Sequence, residues 1–198
     1  MDLHKVLKNS YASRKKQKKA FLKDGYRYDK FLSNDNEQVY YNPNNKKLLM
    51  SVAGTHNLKD FGTDIWLAGG LLKNTSRYKE AESTLKRAKQ KYDVKNATIS
   101  GHSLGGAISQ YIASKGDQVY TLDKGATIGQ KTRSNEKAYR TSGDLISILN
   151  ANSTRMKTLK NPQLDRKNTK RTGNFNNILK DAYNAHNVDN IKNENIMI

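Results

Sequence analysis

The segment Gly101-His102-Ser103-Leu104-Gly105 constrains this 198-residue chain more than any other feature. It follows a β-rich run, Ala97 to Ser100, and precedes a helix-compatible run that ends near Tyr111. A G-x-S-x-G sequence between a strand and a helix places the serine on a turn too sharp for side chains at the two glycines. The serine hydroxyl then projects above the sheet at a helix N-terminus. Ser103 is therefore a candidate nucleophile, and the alternative is a glycine-rich turn with an incidental serine.

Strand and helix patterns alternate around this turn. Two apolar runs on either side of Asn42 to Asn45 predict a β-hairpin, whose second strand, Lys47 to Ala53, is a central one. The stretch Ser76 to Tyr92 has one apolar face, early acidic residues and late basic residues, which predicts a helix. The other predicted elements are strands at 94–100, 119–122, 138–142 and 146–149, and helices at 104–114 and 177–183. This alternation predicts an α/β fold with a mostly parallel central sheet and helices on both faces.

The charge of the chain is concentrated at its two ends. Lysine and arginine number 36 against 18 acidic residues, and residues 1–30 carry 10 basic and 3 acidic side chains. Residues 155–180 carry 8 and 1. We expect residues 1–30 to form a basic, exposed arm or helix, and residues 31–198 a single domain that is polar and basic from about residue 151. The basic ends would attract an anionic membrane surface or nucleic acid, or else remain solvated tails.

Other features exclude several classes of protein. The absence of cysteine excludes a disulfide framework, a thiolate nucleophile and a cysteine-based metal site. Residues 1–19 are charged throughout and lack the apolar stretch of a signal peptide, and no apolar run approaches the roughly 18 residues of a transmembrane helix. We therefore expect a soluble protein, intracellular or virus-associated, that uses neither a cofactor nor a metal ion and touches membranes only peripherally.

A nucleophilic serine requires a base and an orienting acid, which in this arrangement follow it in the order Asp or Glu, then His. His186 is the one histidine of four that follows Ser103, so it is the predicted base by elimination, and an ordinary surface histidine is the alternative. Asp144 lies in a loop at the carboxyl end of a predicted strand, where catalytic groups gather in α/β sheets. Asp123, which also follows a strand directly, is the second candidate for the acid.

The developing oxyanion requires fixed hydrogen-bond donors. One is the backbone N–H of Leu104, because it follows the nucleophile at the start of a helix. Thr55 follows the buried strand that ends at Ala53, and it offers both an N–H and a hydroxyl as the second donor. The alternative for Gly54-Thr55 is a tight turn without a chemical role.

The run Gly101 to Ala107, together with Val52-Ala53-Gly54-Thr55 and Asp60 to Ile65, resembles the class 3 lipase family of the α/β-hydrolase superfamily. The segment Tyr139 to Ile146 is similar to the part of that family that carries the acid, which favours Asp144. The resemblance covers about residues 48–150. It implies a small α/β-hydrolase-like fold in which the Gly54-Thr55 turn contributes to the oxyanion hole.

The resemblance also implies an activity. Ser103, Asp144 and His186 would form a catalytic triad that hydrolyses the carboxylic esters of lipids, glycerides or phospholipids, through an acyl-enzyme. The apolar stretch 65–72 would form a lid or simply a packed helix. One alternative is an inactive protein of the same fold that binds nucleic acid or anionic surfaces through its basic ends. Another is a peptidase or thioesterase, because fold and triad do not fix the acyl substrate.

Overall fold

The computed structural model describes residues 1–55, 72–125, 132–144, 155–161 and 184–198. Within them, seven strands form one sheet whose order follows the chain. The strands are β1 (Arg27–Tyr28), β2 (Glu37–Asn42), β3 (Lys47–Val52), β4 (Thr98–His102), β5 (Gln118–Leu122), β6 (Glu136–Thr141) and β7 (Met156–Leu159). The first three are antiparallel to one another, and β3 to β7 are parallel.

Helices cover both faces of this sheet. They are α1 (Leu3–Ser10), α2 (Arg14–Lys19), α3 (Ser76–Tyr92) and α4 (Leu104–Ile112), and short 3-10 turns lie at Leu22–Asp24, Leu72–Asn74 and Val188–Ile191. Met50 of β3 packs in one apolar cluster with residues of α3 and α4, whereas its neighbour Leu49 packs with Val6 of α1. Successive side chains of a strand point to opposite faces, so α1 lies across the sheet from α3 and α4. The predicted fold class, a mostly parallel sheet between helices, is confirmed.

Elements with a strong local pattern agree with their predictions. The hairpin is present as β2 and β3, and α3 has the predicted bounds. The side chain of Thr75 caps α3 by accepting a hydrogen bond from the backbone N–H of Tyr78 at 3.2 Å. Strand β4 begins at Thr98 instead of Val94, and α4 ends at Ile112 instead of Ser114. These differences are of the size expected at element ends.

Strands β1 and β7 were not predicted from the sequence. Strand β1 has only two residues, and three of the four residues of β7 are exposed or half-buried, so neither has a marked apolar pattern. The predicted strand at 146–149, the predicted helix at 177–183 and nearly all of the apolar stretch at 65–72 lie outside the described residues.

The expectation that the N-terminal segment is exposed is wrong for α1. Leu3, Val6 and Leu7 are fully buried, because their spacing of three and four residues puts them on one face of the helix, against the sheet. In α2, by contrast, only Gln17 is buried. Among the described residues, no helix has both the length and the apolar character needed to cross a membrane.

Candidate active site

The turn at Ser103 has the geometry that its sequence predicts. Ser103 lies between β4 and α4 with φ 56° and ψ −128°, a positive-φ conformation that residues other than glycine rarely adopt. A Cβ added at Gly101 would lie 2.2 Å from the carbonyl oxygen of Gly105, and one added at Gly105 would lie 2.2 Å from that of Val52. Both glycines are therefore required by close backbone packing, and the turn holds Ser103 above the end of the sheet.

Asp144 and His186 are in direct contact although 42 positions separate them in the chain. Asp144 follows β6 through a turn in which Gly143 has a φ of 85°, and its backbone N–H donates to the carbonyl of Thr141. His186 belongs to the C-terminal segment, and its Nδ1 lies 2.8 Å from Asp144 Oδ1. Both residues are buried. The carboxylate thus fixes the orientation of the imidazole ring.

Asp123, the second candidate for the acid, has a different set of partners. Its two carboxyl oxygens accept hydrogen bonds from the backbone N–H and the hydroxyl of Thr141, each at 2.6 Å. Burial, followed by the nearby charge of Asp144, raises the pKa of Asp123 to about 7. Asp123 therefore lies beside the Asp144–His186 pair and is hydrogen-bonded to the last residue of β6. Asp144 is the carboxylate that is hydrogen-bonded to His186.

A cavity of about 590 Å³ opens beside these residues. Thr55, Ser103 and His186 all line it, and Asp144 is hydrogen-bonded to His186. Leu104 is the first residue of α4, so its backbone N–H is among those that have no acceptor within the helix. The structure therefore gathers the five predicted site residues at the end of the sheet where β4, β5 and β6 finish.

Tyr11 and His102 also belong to this site, and their contacts were not predicted from the sequence. Tyr11 Oη lies 2.8 Å from His102 Nδ1 and accepts a hydrogen bond from the backbone N–H of Gly54 at 2.9 Å. The ring centroids of His102 and His186 are 4.6 Å apart. Burial lowers the pKa of His102 well below its ordinary value, and the neighbouring His186 lowers it further. A neutral His102 thus joins the nucleophile turn to the N-terminal segment.

No local pattern marks Tyr11 as part of the site. The amphipathic spacing of α1, which ends one residue earlier, would have indicated that this region packs against the core. His102 occupies a variable position inside the G-x-S-x-G motif, and its contacts depend on chain segments far away in sequence.

Three side chains of the site offer potential metal ligands. One donor atom each from His102, Asp123 and His186 lies within 4.8 Å of the others. Both oxygens of Asp123 already accept hydrogen bonds from Thr141, and His186 Nδ1 is bonded to Asp144. These atoms thus already belong to one hydrogen-bonded network, which is the arrangement that orients an imidazole for proton transfer.

The arrangement has a definite chemical capacity. A carboxylate that holds the Nδ1 side of an imidazole leaves the Nε2 side for exchanging a proton with a nucleophile. A serine on a strained turn at a helix N-terminus has backbone N–H groups close by for an oxyanion. All of these groups meet beside one cavity, so the geometry suits acyl transfer to Ser103.

Comparisons with known proteins find a matching protein family and similar solved structures. The family model described as Lipase (class 3) matches residues 15–120, which is more than half of the chain. Two of the solved structures that are similar to this chain are lipases. The Lip2 lipase from Yarrowia lipolytica is 14% identical, with a TM-score of 0.43 and coverage of 69% of this chain and 66% of that lipase. The Rhizomucor miehei lipase propeptide complex is also 14% identical, with a TM-score of 0.49 and coverage of 74% and 61%.

This chain thus spans less than two thirds of the length of either lipase. No curated protein matches the sequence. The family match includes the strand, the turn and the helix around Ser103, and it ends before Asp144 and His186. On the match over more than half of its length, the chain belongs to the class 3 lipase family.

Proposed function

We propose that this protein hydrolyses carboxylic esters of lipids, with Ser103 as nucleophile, His186 as base and Asp144 as the orienting acid. The observation that carries the proposal is that Ser103, on its strained turn, lines the same cavity as a histidine held by a buried carboxylate. Membership of the class 3 lipase family supports an ester of a lipid as the substrate.

The first half of the reaction forms an acyl-enzyme. Ser103 Oγ bonds to the ester carbonyl carbon while its proton moves to His186 Nε2, and Asp144 stabilises the imidazolium through Nδ1. The carbonyl oxygen becomes an oxyanion that accepts hydrogen bonds from the N–H of Leu104 and from Thr55. The carbon–oxygen bond to the alcohol then breaks, and His186 returns the proton to the leaving alkoxide.

The second half releases the acid. Water attacks the acyl carbon of the Ser103 ester, His186 accepts the water proton, and the same oxyanion donors stabilise the second tetrahedral intermediate. The bond to Ser103 Oγ breaks as His186 donates the proton back to the serine. One ester and one water thus yield one alcohol and one carboxylic acid, and the enzyme regains its starting state.

Active-site labelling tests the proposal directly. A fluorophosphonate probe is expected to label the parent protein, to fail on Ser103→Ala, and to label Ser83→Ala normally, because Ser83 is exposed on α3. Hydrolysis of p-nitrophenyl esters of increasing chain length should disappear with Ser103→Ala, a loss of roughly 10⁶-fold for a triad nucleophile. Absence of both Ser103-dependent labelling and Ser103-dependent hydrolysis would refute the mechanism and leave an inactive protein that binds anionic surfaces as the better explanation.

A further inference from the structure

One wall of the cavity is formed by the N-terminal helix α1. Its buried face carries Leu3, Val6 and Leu7 against the sheet. A second face of the helix, whose residues are also three or four positions apart, lines the cavity. The α1 residues on this second face are His4, Lys5, Lys8 and Asn9, and Ala12 and Lys16 continue the wall beyond α1. Because the core fixes the first face, the cavity-facing residues have a defined position in the lining that they share with Ser103.

The wall is tied to the segment that carries His186. Asp189 Oδ1 lies 2.9 Å from His4 Nε2 and accepts a hydrogen bond from Lys8 Nζ at 2.7 Å. The backbone N–H of Leu3 donates to the carbonyl of Ile196 at 2.8 Å. These hydrogen bonds therefore fix the position of the wall relative to the segment that carries the proposed base.

This wall carries more basic than acidic side chains. Lys5, Lys8 and Lys16 line the cavity on the basic side, and Asp189 is the acidic lining residue. Asp189 is engaged by Lys8, whereas Lys5 and Lys16 form no ion pair with a carboxylate among the described residues. The ammonium groups of Lys5 and Lys16, two exposed residues in the lining, thus remain for a ligand, and a lysine ammonium binds phosphate as a point charge.

We propose that the cavity binds glycerophospholipids, with the ester carbonyl at Ser103 and the phosphate at Lys5 and Lys16. The inference rests on the proposed function and specifies its substrate class. A cavity of about 590 Å³ is within the range that encloses most of a small ligand. The phosphate and the acyl ester of a glycerophospholipid share one glycerol unit, so a single molecule presents both groups to the lining of this one cavity. The subsite acts on individual lipid molecules, unlike a general attraction of the basic protein to membranes.

The test compares two double variants with the same change of charge. Lys5→Gln/Lys16→Gln removes the cavity pair, and Lys18→Gln/Lys19→Gln removes two exposed lysines of α2. Hydrolysis of dihexanoyl phosphatidylglycerol, kept below its micelle concentration, is measured against p-nitrophenyl hexanoate. The cavity variant is expected to lower the ratio of kcat/KM for the phospholipid to that for the neutral ester about 10- to 100-fold, the scale of one or two charge-assisted contacts. The α2 variant should keep the ratio.

Equal loss in the two variants would show long-range attraction only and overturn the subsite, as would an unchanged ratio in the cavity variant. Binding of the same lipid to Ser103→Ala protein, measured by calorimetry, separates this proposal from the proposed function. If the parent hydrolyses neither ester, the proposed function fails. Weaker binding of the lipid by Ser103→Ala/Lys5→Gln/Lys16→Gln than by Ser103→Ala would still support the phosphate subsite. An unchanged Kd refutes it.

Discussion

Two consecutive residues at the end of β5, Asp123 and Lys124, enter two different buried polar centres. The histidine centre consists of His102, Asp123, Asp144 and His186, and it borders the cavity. The lysine centre consists of Gln110, Thr121, Lys124, Thr132 and Glu136, and it lies beside α4. Both contain a buried pair of a basic and an acidic side chain, so burial and charge alone do not separate a structural centre from a chemical one.

The difference lies in how the polar atoms are used. Lys124 Nζ donates to Glu136 at 2.7 Å, to Gln110 at 3.1 Å and to Thr132 at 3.4 Å, which accounts for its three protons. Burial lowers the pKa of Lys124, and the Glu136 charge opposes that shift. In the histidine centre, His186 is bonded to Asp144 through Nδ1 and lines the same cavity as Ser103. A place in the lining of a cavity, together with a fixed orientation, distinguishes this buried pair from the structural one.

The largest expected effect is the loss of activity on changing Asp144 to Asn. The amide keeps the shape of the carboxyl group but favours the wrong imidazole tautomer and does not stabilise an imidazolium, so kcat for p-nitrophenyl esters should fall about 10⁴-fold. The free energy of unfolding, measured by urea titration, should change much less than in variants of the lysine centre. A variant that is unfolded, or one that is fully active, would remove the distinction between the two centres.

The lysine centre is expected to show the opposite result. Lys124→Met leaves the Glu136 carboxylate buried without its cation, which should lower the free energy of unfolding by about 3–5 kcal/mol. The double variant Lys124→Met/Glu136→Leu should recover most of that loss in urea titrations, because it removes both charges. Arg14→Gln, in the exposed pair with Asp35, is the control and should cost less than about 1 kcal/mol. A loss in Lys124→Met as small as in that control would show that the lysine centre adds little to stability.

The smallest expected effect is a change in how stability depends on pH, caused by Asp123. Its pKa rises from 3.8 to about 7 on folding, so between these values the folded state keeps a proton that the unfolded state releases. The unfolded state then binds fewer protons, and the free energy of unfolding falls as the pH rises through this window. Asp123→Asn, which resembles the protonated acid, should remove this contribution.

The measurement is urea titration of both proteins between pH 4 and pH 8. Because folding lowers the pKa of His102, this residue makes the free energy of unfolding rise with pH below the ordinary pKa of histidine. His102 is present in both proteins. The difference between the two curves therefore reports the titration of Asp123 together with its interaction with Asp144, and the variant should gain stability relative to the parent as the pH rises. A difference that stays constant with pH would mean that Asp123 is ionised in the folded protein.

Parts of the fold and of the candidate site were predictable because their causes are local. The turn at Ser103 needs glycine at both positions, since a side chain at Gly101 would collide with the backbone of Gly105 and one at Gly105 with the backbone of Val52. The bounds of α3 follow from its periodic apolar face and its cap. The sequence also indicated Asp144 and His186, though His186 by elimination alone.

The sequence by itself thus determined the α/β alternation, the position of Ser103 and the family, because these depend on backbone geometry and on periodicity over a few residues. Only the tertiary structure decided which carboxylate contacts His186, since Asp123 and Asp144 both follow strands and differ in which distant segment packs against them. It also decided that the basic N-terminal helix is part of the cavity wall. The contacts of Tyr11 with Gly54 and His102 join residues 43 and 91 positions apart, and no local pattern encodes such a pairing.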